Sequence, residues 1–335
     1  MLHAAIVGLG RWGQALVSAV QGKDAGIAFT LGQTRSRAKA EEFCRDKGIR
    51  LVDDFDAVLA DKTIGAVVLA TPHSQHDDQI IRAARAGKHV FVEKPFALTR
   101  KSAVAALDAI AMAGVVCGIG YNRRFHPNMA ELKARVADGR LGAIGSCTCE
   151  YTVTAGLFTP RENWRSDPHE TPAAAMTAIG VHPMDAMIGL LGRVSEVHCI
   201  TARRAAPFAD DTTSVLLKFA SGATGLLFAS LASAANFRLT VYGSKGFVEL
   251  SPATLDEFRF VAAPDKPNAN WNVAPPAEVK SAPSFDTLNA ELTAFAAAVT
   301  ANKPFPIPHD EILHGVEVFE AIVSSAASGA IVKIS

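Results

Sequence analysis

The stretch AAIVGLGRWGQAL, residues 4–16, decides the fold. Ala4, Ala5, Ile6 and Val7 form a continuous apolar run, and Trp12, Leu16, Ala19 and Val20 follow at helical spacing. Between strand and helix lie Gly8, Gly10 and Gly13, spaced G-x-G-x-x-G. In that context the first glycine allows a tight turn and the second lets backbone approach a pyrophosphate. The third lets helix and strand pack closely, and the phosphate rests on the helix N-terminus. Gly8, Gly10, Arg11, Trp12 and Gly13 are therefore read as a dinucleotide-binding turn, against the plainer reading of a tight βα connection.

Working outward, strand and helix signals alternate. IAFTLGQT, IGAVVLATP, HVFVEKP and VVCGIGYNRRF read as strands; RSRAKAEEFCRDKG, DDFDAVLAD, QHDDQIIRAARAGK and TRKSAVAALDAIAMAG read as helices. Continuous apolar strands separated by helices predict a doubly wound parallel sheet, a Rossmann domain over 1–121. Beyond it the helix HPNMAELKARVADGRLG precedes alternating runs such as AIGSCTCEYTVT and TTSVLLKFASGATGLLFASL. These predict a C-terminal α+β domain over 122–335 with an open, mainly antiparallel sheet. A helix carrying AAMTAIGVHPMDAMIGLLG interrupts the strands, KPNANWNVAPPAEVKSAPS reads as a loop, and two closing helices could pack back on the first domain. With 335 residues, two domains are expected.

Apolar residues make up 49% and charged residues 20%, with 33 basic residues balancing 33 acidic ones. This balance leaves no footprint for nucleic acid or an anionic membrane. No run of ~20 apolar residues is present, and the N-terminus lacks a basic leader, so a cytoplasmic protein is expected. The five cysteines (Cys44, Cys117, Cys147, Cys149 and Cys199) read as reduced buried thiols; Cys147 and Cys149 share a strand face, and no metal site is expected.

The end of the second strand should carry an acidic residue if the ribose 2′-OH of NAD is bound. Here LGQTRSR, residues 31–37, offers Thr34 and Arg35 instead. A hydroxyl and a guanidinium suit a 2′-phosphate, so the reading leans from NAD to NADP. Alternatively, Arg35 and Arg37 lie on a solvated helix face or stack on adenine. Further on, VFVEKPFALT, residues 90–99, is an apolar strand ending in Glu93, Lys94 and Pro95. Proline lacks the N–H needed to continue the ladder, so Lys94 is fixed at a strand end, where open α/β sheets bind ligands.

These motifs together resemble the Gfo/Idh/MocA family of NAD(P)-dependent oxidoreductases. The resemblance is carried by GLGRWG, ATPHSQHDDQIIRAARAGKHVFVEKPFALT, GYNRRFHP, WRSDP, GVHPMDAMIGLLG, VYGSKGFVEL and the late PIPHDEILHGVEVFEA. It implies a sugar, inositol or related polyol, or its ketone, as substrate, in a homodimer or homotetramer. It also implies that Lys94 contacts the substrate hydroxyl and shares in proton transfer, across a cis Lys94–Pro95 bond, with Glu93 near the nicotinamide. Ala70, Thr71, Pro72, His73 and His76 follow as cofactor contacts, with Asn122 and Arg165. Arg124, Trp164 and His182 join Lys94 at the substrate; one of Arg123 and Arg124 faces the ligands and the other is solvated.

One departure stands out. Many relatives carry an Asp one helical turn before the histidine of GVH, and this chain has Ala178 there, ahead of His182. Either Lys94 and His182 suffice as catalytic pair, or the chain is a cofactor-binding sensor without turnover or an NAD-assisted hydrolase or lyase. His198, His309 and His314 read as structural, as does Asp185.

Overall fold

The computed structural model describes residues 1–264, 266, 275–282 and 284–334. The chain opens with β1 (Leu2–Val7), α1 (Arg11–Val20), β2 (Ile27–Gln33), α2 (Glu41–Lys47) and β3 (Arg50–Val52). Next come α3 (Phe55–Ala60), β4 (Ala66–Leu69), α4 (His76–Arg85), β5 (His89–Glu93), α5 (Arg100–Ala113) and β6 (Cys117–Gly120). Then α6 (Pro127–Ala137), β7 (Ile144–Thr152), α7 (Val181–Leu191), β8 (Val194–Ala202), β9 (Thr212–Phe219) and β10 (Thr224–Ser230) follow. The chain continues through β11 (Asn236–Gly243), β12 (Gly246–Ser251), β13 (Glu257–Ala262) and β14 (Ala277–Ser281). It closes with α8 (Thr287–Thr300), α9 (His309–Ser328) and β15 (Val332–Lys333). Two compact units result: residues 1–122 with 286–316, and 123–285 with 317–335.

In the first unit six parallel strands run in the order β3-β2-β1-β4-β5-β6. The order reverses between β1 and β4, which is where doubly wound sheets bind ligands. β4 and β6 are buried throughout and β5 nearly so, as expected of strands covered on both faces. Leu292, Phe295 and Ala296 of α8 join Ile6, Leu16, Val20, Phe29 and Phe91 in one apolar core. Segment 286–316 therefore completes the dinucleotide domain's packing despite its place in the sequence.

The second unit has nine strands in the order β14-β13-β12-β11-β7-β10-β9-β8-β15. Pairing is antiparallel except between β7 and β10, which are parallel in a position the hairpin-like spacing did not predict. Strand β9 alternates buried and exposed residues, so one face is covered and the other open. α6 and α7 pack on the covered face. Strands β3 and β15 were not predicted because they are only three and two residues long, and β14 was not because it is exposed throughout and shows no apolar alternation. Ala277–Ser281 falls within the stretch expected as a loop; residues 267–274 and 283 of that stretch lie outside the described residues. Among the described residues, no helix is long and apolar enough to cross a membrane.

Candidate active site

Strand β1 ends in a turn that only glycine can make. Gly8 lies at φ 96°, where L side chains are strained, and faces the Ala70 carbonyl across the switch point. Gly13 is pressed against the Gly8 carbonyl oxygen, which lets α1 seat closely on β1. A Cβ on Gly10, by contrast, would meet nothing within 4 Å. Gly10 is also the N-cap of the ten-residue α1 and offers no side-chain cap, so the helix's first N–H groups remain for a ligand. An open cradle of backbone donors fits the pyrophosphate of a dinucleotide.

At the β2 end, Arg37 is tied to Asp53 at 2.7 Å and to Glu41 at 3.3 Å. Arg35 has no ion pair among the described residues and is exposed. Thr34 Oγ1 accepts from the Ser36 N–H at 3.4 Å. The tertiary structure thus gives the two arginines different surroundings.

After β4, Thr71 Oγ1 donates to Gln79 Oε1 at 2.6 Å, and His73 is buried. The His76 ring is fully buried, with Nδ1 2.8 Å from the Pro95 carbonyl and Nε2 3.1 Å from the Thr71 carbonyl. His76 is expected among the cofactor contacts. Its ring nitrogens are engaged by backbone, so His76 ties the loop after β4 to the segment after β5.

Strand β5 ends in a buried acid. The Glu93 carboxyl lies against Gly120 of β6, whose added Cβ would come 2.6 Å from Oε1. Glu93 Oε2 accepts from the Lys94 N–H at 3.3 Å. Burial pushes the Glu93 carboxyl up to about 7, opposed by the Trp12 indole and the Lys94 ammonium. Trp12 approaches without reaching hydrogen-bond geometry: its Nε1 and Glu93 Oε1 are both buried without a hydrogen-bond partner among the described residues. Lys94 is half-buried, and the Lys94–Pro95 bond is cis, as expected. Asn122, expected at the cofactor, donates from Nδ2 to Thr287 Oγ1 at 2.7 Å.

In the second unit His182 lies in the first turn of α7, buried, with the Tyr151 ring edge-on at 6.2 Å between centroids. Arg123 stacks over Tyr151 at 4.6 Å and over Phe237 at 4.1 Å, and donates to the Ala253 carbonyl at 2.7 Å. Arg124 forms a bidentate pair with Asp185, Nε to Oδ2 at 2.7 Å and Nη2 to Oδ1 at 2.6 Å, both side chains buried. Arg124, expected at the substrate, is thereby tied to α7. Arg123 lies on aromatic rings, so neither of the two arginines is the solvated one that was expected. The Arg165 guanidinium lies over the Trp164 ring at 4.1 Å.

Ala178 falls in a π-helical turn, Met176–Gly180, that leads into α7. The wider turn changes the spacing to His182 from the single α-turn read in the sequence. Thr177 is fully buried and donates from Oγ1 to the Pro172 carbonyl, so its hydroxyl is used locally.

Sequence reasoning missed Tyr151, Arg123's aromatic seat and Glu291. Glu291 is fully buried on α8, with neither carboxyl oxygen partnered among the described residues. A signal existed: Leu288, Glu291, Leu292 and Phe295 share one helical stripe, so a carboxyl interrupts an apolar face.

Residues 2–121 match the family described as "Oxidoreductase family, NAD-binding Rossmann fold", and residues 129–249 match the "GFO/IDH/MocA C-terminal domain". Inositol 2-dehydrogenase of Rhizobium meliloti is 30% identical over 259 residues, 72% of this chain and 73% of that protein. Scyllo-inositol 2-dehydrogenase (NAD(+)) of Bacillus subtilis is 36% identical, over 42% of each chain. D-xylose 1-dehydrogenase (NADP(+)) 2 of Haloferax volcanii is 27% identical over 90% of each. Among solved structures, a levoglucosan dehydrogenase complexed with NADH and levoglucosan superposes with a TM-score of 0.88 at 22% identity, covering 100% of this chain and 99% of that one.

Proposed function

The chain belongs to the Gfo/Idh/MocA family of oxidoreductases, and from that premise we propose that it transfers hydride between a nicotinamide dinucleotide and a secondary alcohol of a sugar, inositol or related polyol, or the matching ketone. The observation that carries this reading is the joint presence, in one unit, of the open Gly8–Gly13 cradle and Lys94 at the adjoining strand end. Relatives named for inositol and xylose support the substrate class. A bound nicotinamide supplies the hydride acceptor or donor. The unit of residues 1–122 with 286–316 takes the dinucleotide, and the unit of 123–285 with 317–335 the substrate.

Lys94 gives or takes the hydroxyl proton and stabilises the developing alkoxide. His182 assists as acid–base or hydroxyl ligand, with Trp164 at the substrate. The glycine turn with Arg11 and Trp12, the segment Ala70–His73, Glu93, Asn122 and Arg165 contact the cofactor. Thr34 and Arg35 favour NADP: the guanidinium is exposed and free of ion pairs among the described residues. A cytoplasmic location is supported by five free, buried thiols. A homodimer or homotetramer is supported by Ile200, Leu216, Leu226 and Val279, all exposed on the open sheet face.

The test is to follow nicotinamide absorbance with NADP and NAD across a panel of inositols, pentoses and anhydrosugars. Turnover on at least one is expected, falling about 10²- to 10⁴-fold in Lys94→Ala. Cofactor binding without turnover anywhere on the panel would favour a sensor. A tightly held, non-exchanging cofactor would point to hydrolysis or elimination.

A further inference from the structure

Two buried acids occupy the first unit, and the proposed chemistry uses only one. Glu93 closes β5 with its carboxyl against Gly120 and the Lys94 N–H, and Glu291 lies on α8. Helix α8 packs on α1, β1, β2 and β6. Its Thr287 accepts from Asn122 just past the end of β6, and Phe295, two turns on, lies against Gly118, which sets Glu291 between them beside Gly120 and the Glu93 carboxyl that lies against it. Both Glu291 oxygens and Glu93 Oε1 are buried without hydrogen-bond partners among the described residues. An isolated carboxylate is strongly disfavoured in such surroundings.

The two carboxyls also repel each other: the Glu93 charge raises Glu291 well above the ordinary glutamate range, after burial itself, and Asp286 adds to it. The charged groups acting on the pair are thus Lys94, following β5, and Asp286, at the α8 N-cap. The elements packed against α8 also carry Arg11 on α1, His3 on β1 and Cys117 on β6; none of them is among the groups that shift either carboxyl. Two neighbouring carboxyls in an apolar site cannot both ionise, and the pair keeps a proton.

We infer that Glu291 and Glu93 form a proton-sharing carboxyl pair, in which Glu291 is a positioning residue acting through Glu93 on Lys94. While the pair holds its proton, Glu93 does not present a full counter-charge to Lys94. The effect on catalysis rests on the oxidoreductase reading above; the shared proton does not.

The ligand-free full chain tests the proton directly by infrared titration of the protonated carboxyl band. In wild type a buried protonated carboxyl should persist at neutral pH. Glu291→Gln should remove most of that band, and Glu93→Gln should let the remaining acid ionise at lower pH. Stability gives a second readout. A carboxyl whose pKa is raised from 4.5 to about 7 on folding contributes most at low pH, and that contribution is lost as pH rises through the folded value. The melting temperature of Glu291→Gln relative to wild type should therefore rise between pH 5 and pH 8. On an active substrate, the limb of the kcat/KM profile that reports Glu93 should move to lower pH in Glu291→Gln. Identical carboxyl bands in wild type and Glu291→Gln, or parallel melting curves at every pH, would overturn the pair. An altered band with an unmoved pH profile would overturn the positioning role alone. A wild-type chain that shows the band but turns over nothing would sink the oxidoreductase reading and leave the pair standing. If Glu291→Gln does not fold, Glu93→Gln carries the infrared test.

Discussion

At the scale of single residues, Arg35 is the side chain on which the proposed preference for NADP turns. The sequence put Arg35 forward with Thr34, while leaving open that Arg35 and Arg37 both lie on a solvated helix face. Folding brings Asp53 to Arg37 at 2.7 Å and leaves Arg35 exposed. A charge-assisted hydrogen bond contributes about 1.5–3 kcal/mol, so Arg35→Ala should raise the KM for NADP about 10- to 100-fold with little change for NAD. Equal losses for both cofactors in steady-state assays would show that Arg35 contacts adenine instead of a 2′-phosphate. The glycine turn and Lys94 were legible because backbone geometry dictates them: a positive φ needs glycine, and proline ends a ladder. Glu291 was harder to see because a carboxyl on an apolar stripe acquires meaning only from what covers it.

At the scale of elements, the Arg124–Asp185 pair joins the short turn Asn122–Phe125 to α7, the helix that carries His182. Both side chains are buried, so removing one partner leaves an uncompensated charge in a poorly solvated place. Asp185→Ala should lower stability by about 3–5 kcal/mol in denaturant unfolding. A loss below about 1 kcal/mol would mean the pair behaves as a surface ion pair. Gly189 is part of the same contact, because a Cβ there would strike the Arg124 guanidinium. The π turn at Met176–Gly180 belongs to this scale too. Periodicity predicts a helix across Ala178 but cannot register one widened turn, so the relation of Ala178 to His182 read from sequence was approximate.

At the scale of the whole molecule, the nine-stranded sheet leaves one face open. His198, Leu216, Leu226, Thr148 and Thr240 fall in one cross-strand row, and Leu216, Leu226 and the neighbouring Ile200 are exposed. The chain mass is 35.3 kDa, so light scattering should give a multiple of that value. Leu216→Lys with Leu226→Lys should return a monomer that keeps its melting temperature. A monomeric wild type, or an unchanged oligomer in the double variant, would assign the face another role. The sequence by itself determined five of the six strands of the parallel sheet, its cofactor turn and the strand end bearing Lys94, because each depends on local steric rules and short-range periodicity. Only the tertiary structure decided which arginine is free, what Arg124 and His76 hold, the parallel β7–β10 pairing and the burial of Glu291 beside the sheet. Those outcomes depend on contacts between residues far apart in the chain, where electrostatics and desolvation rather than local propensity set the result.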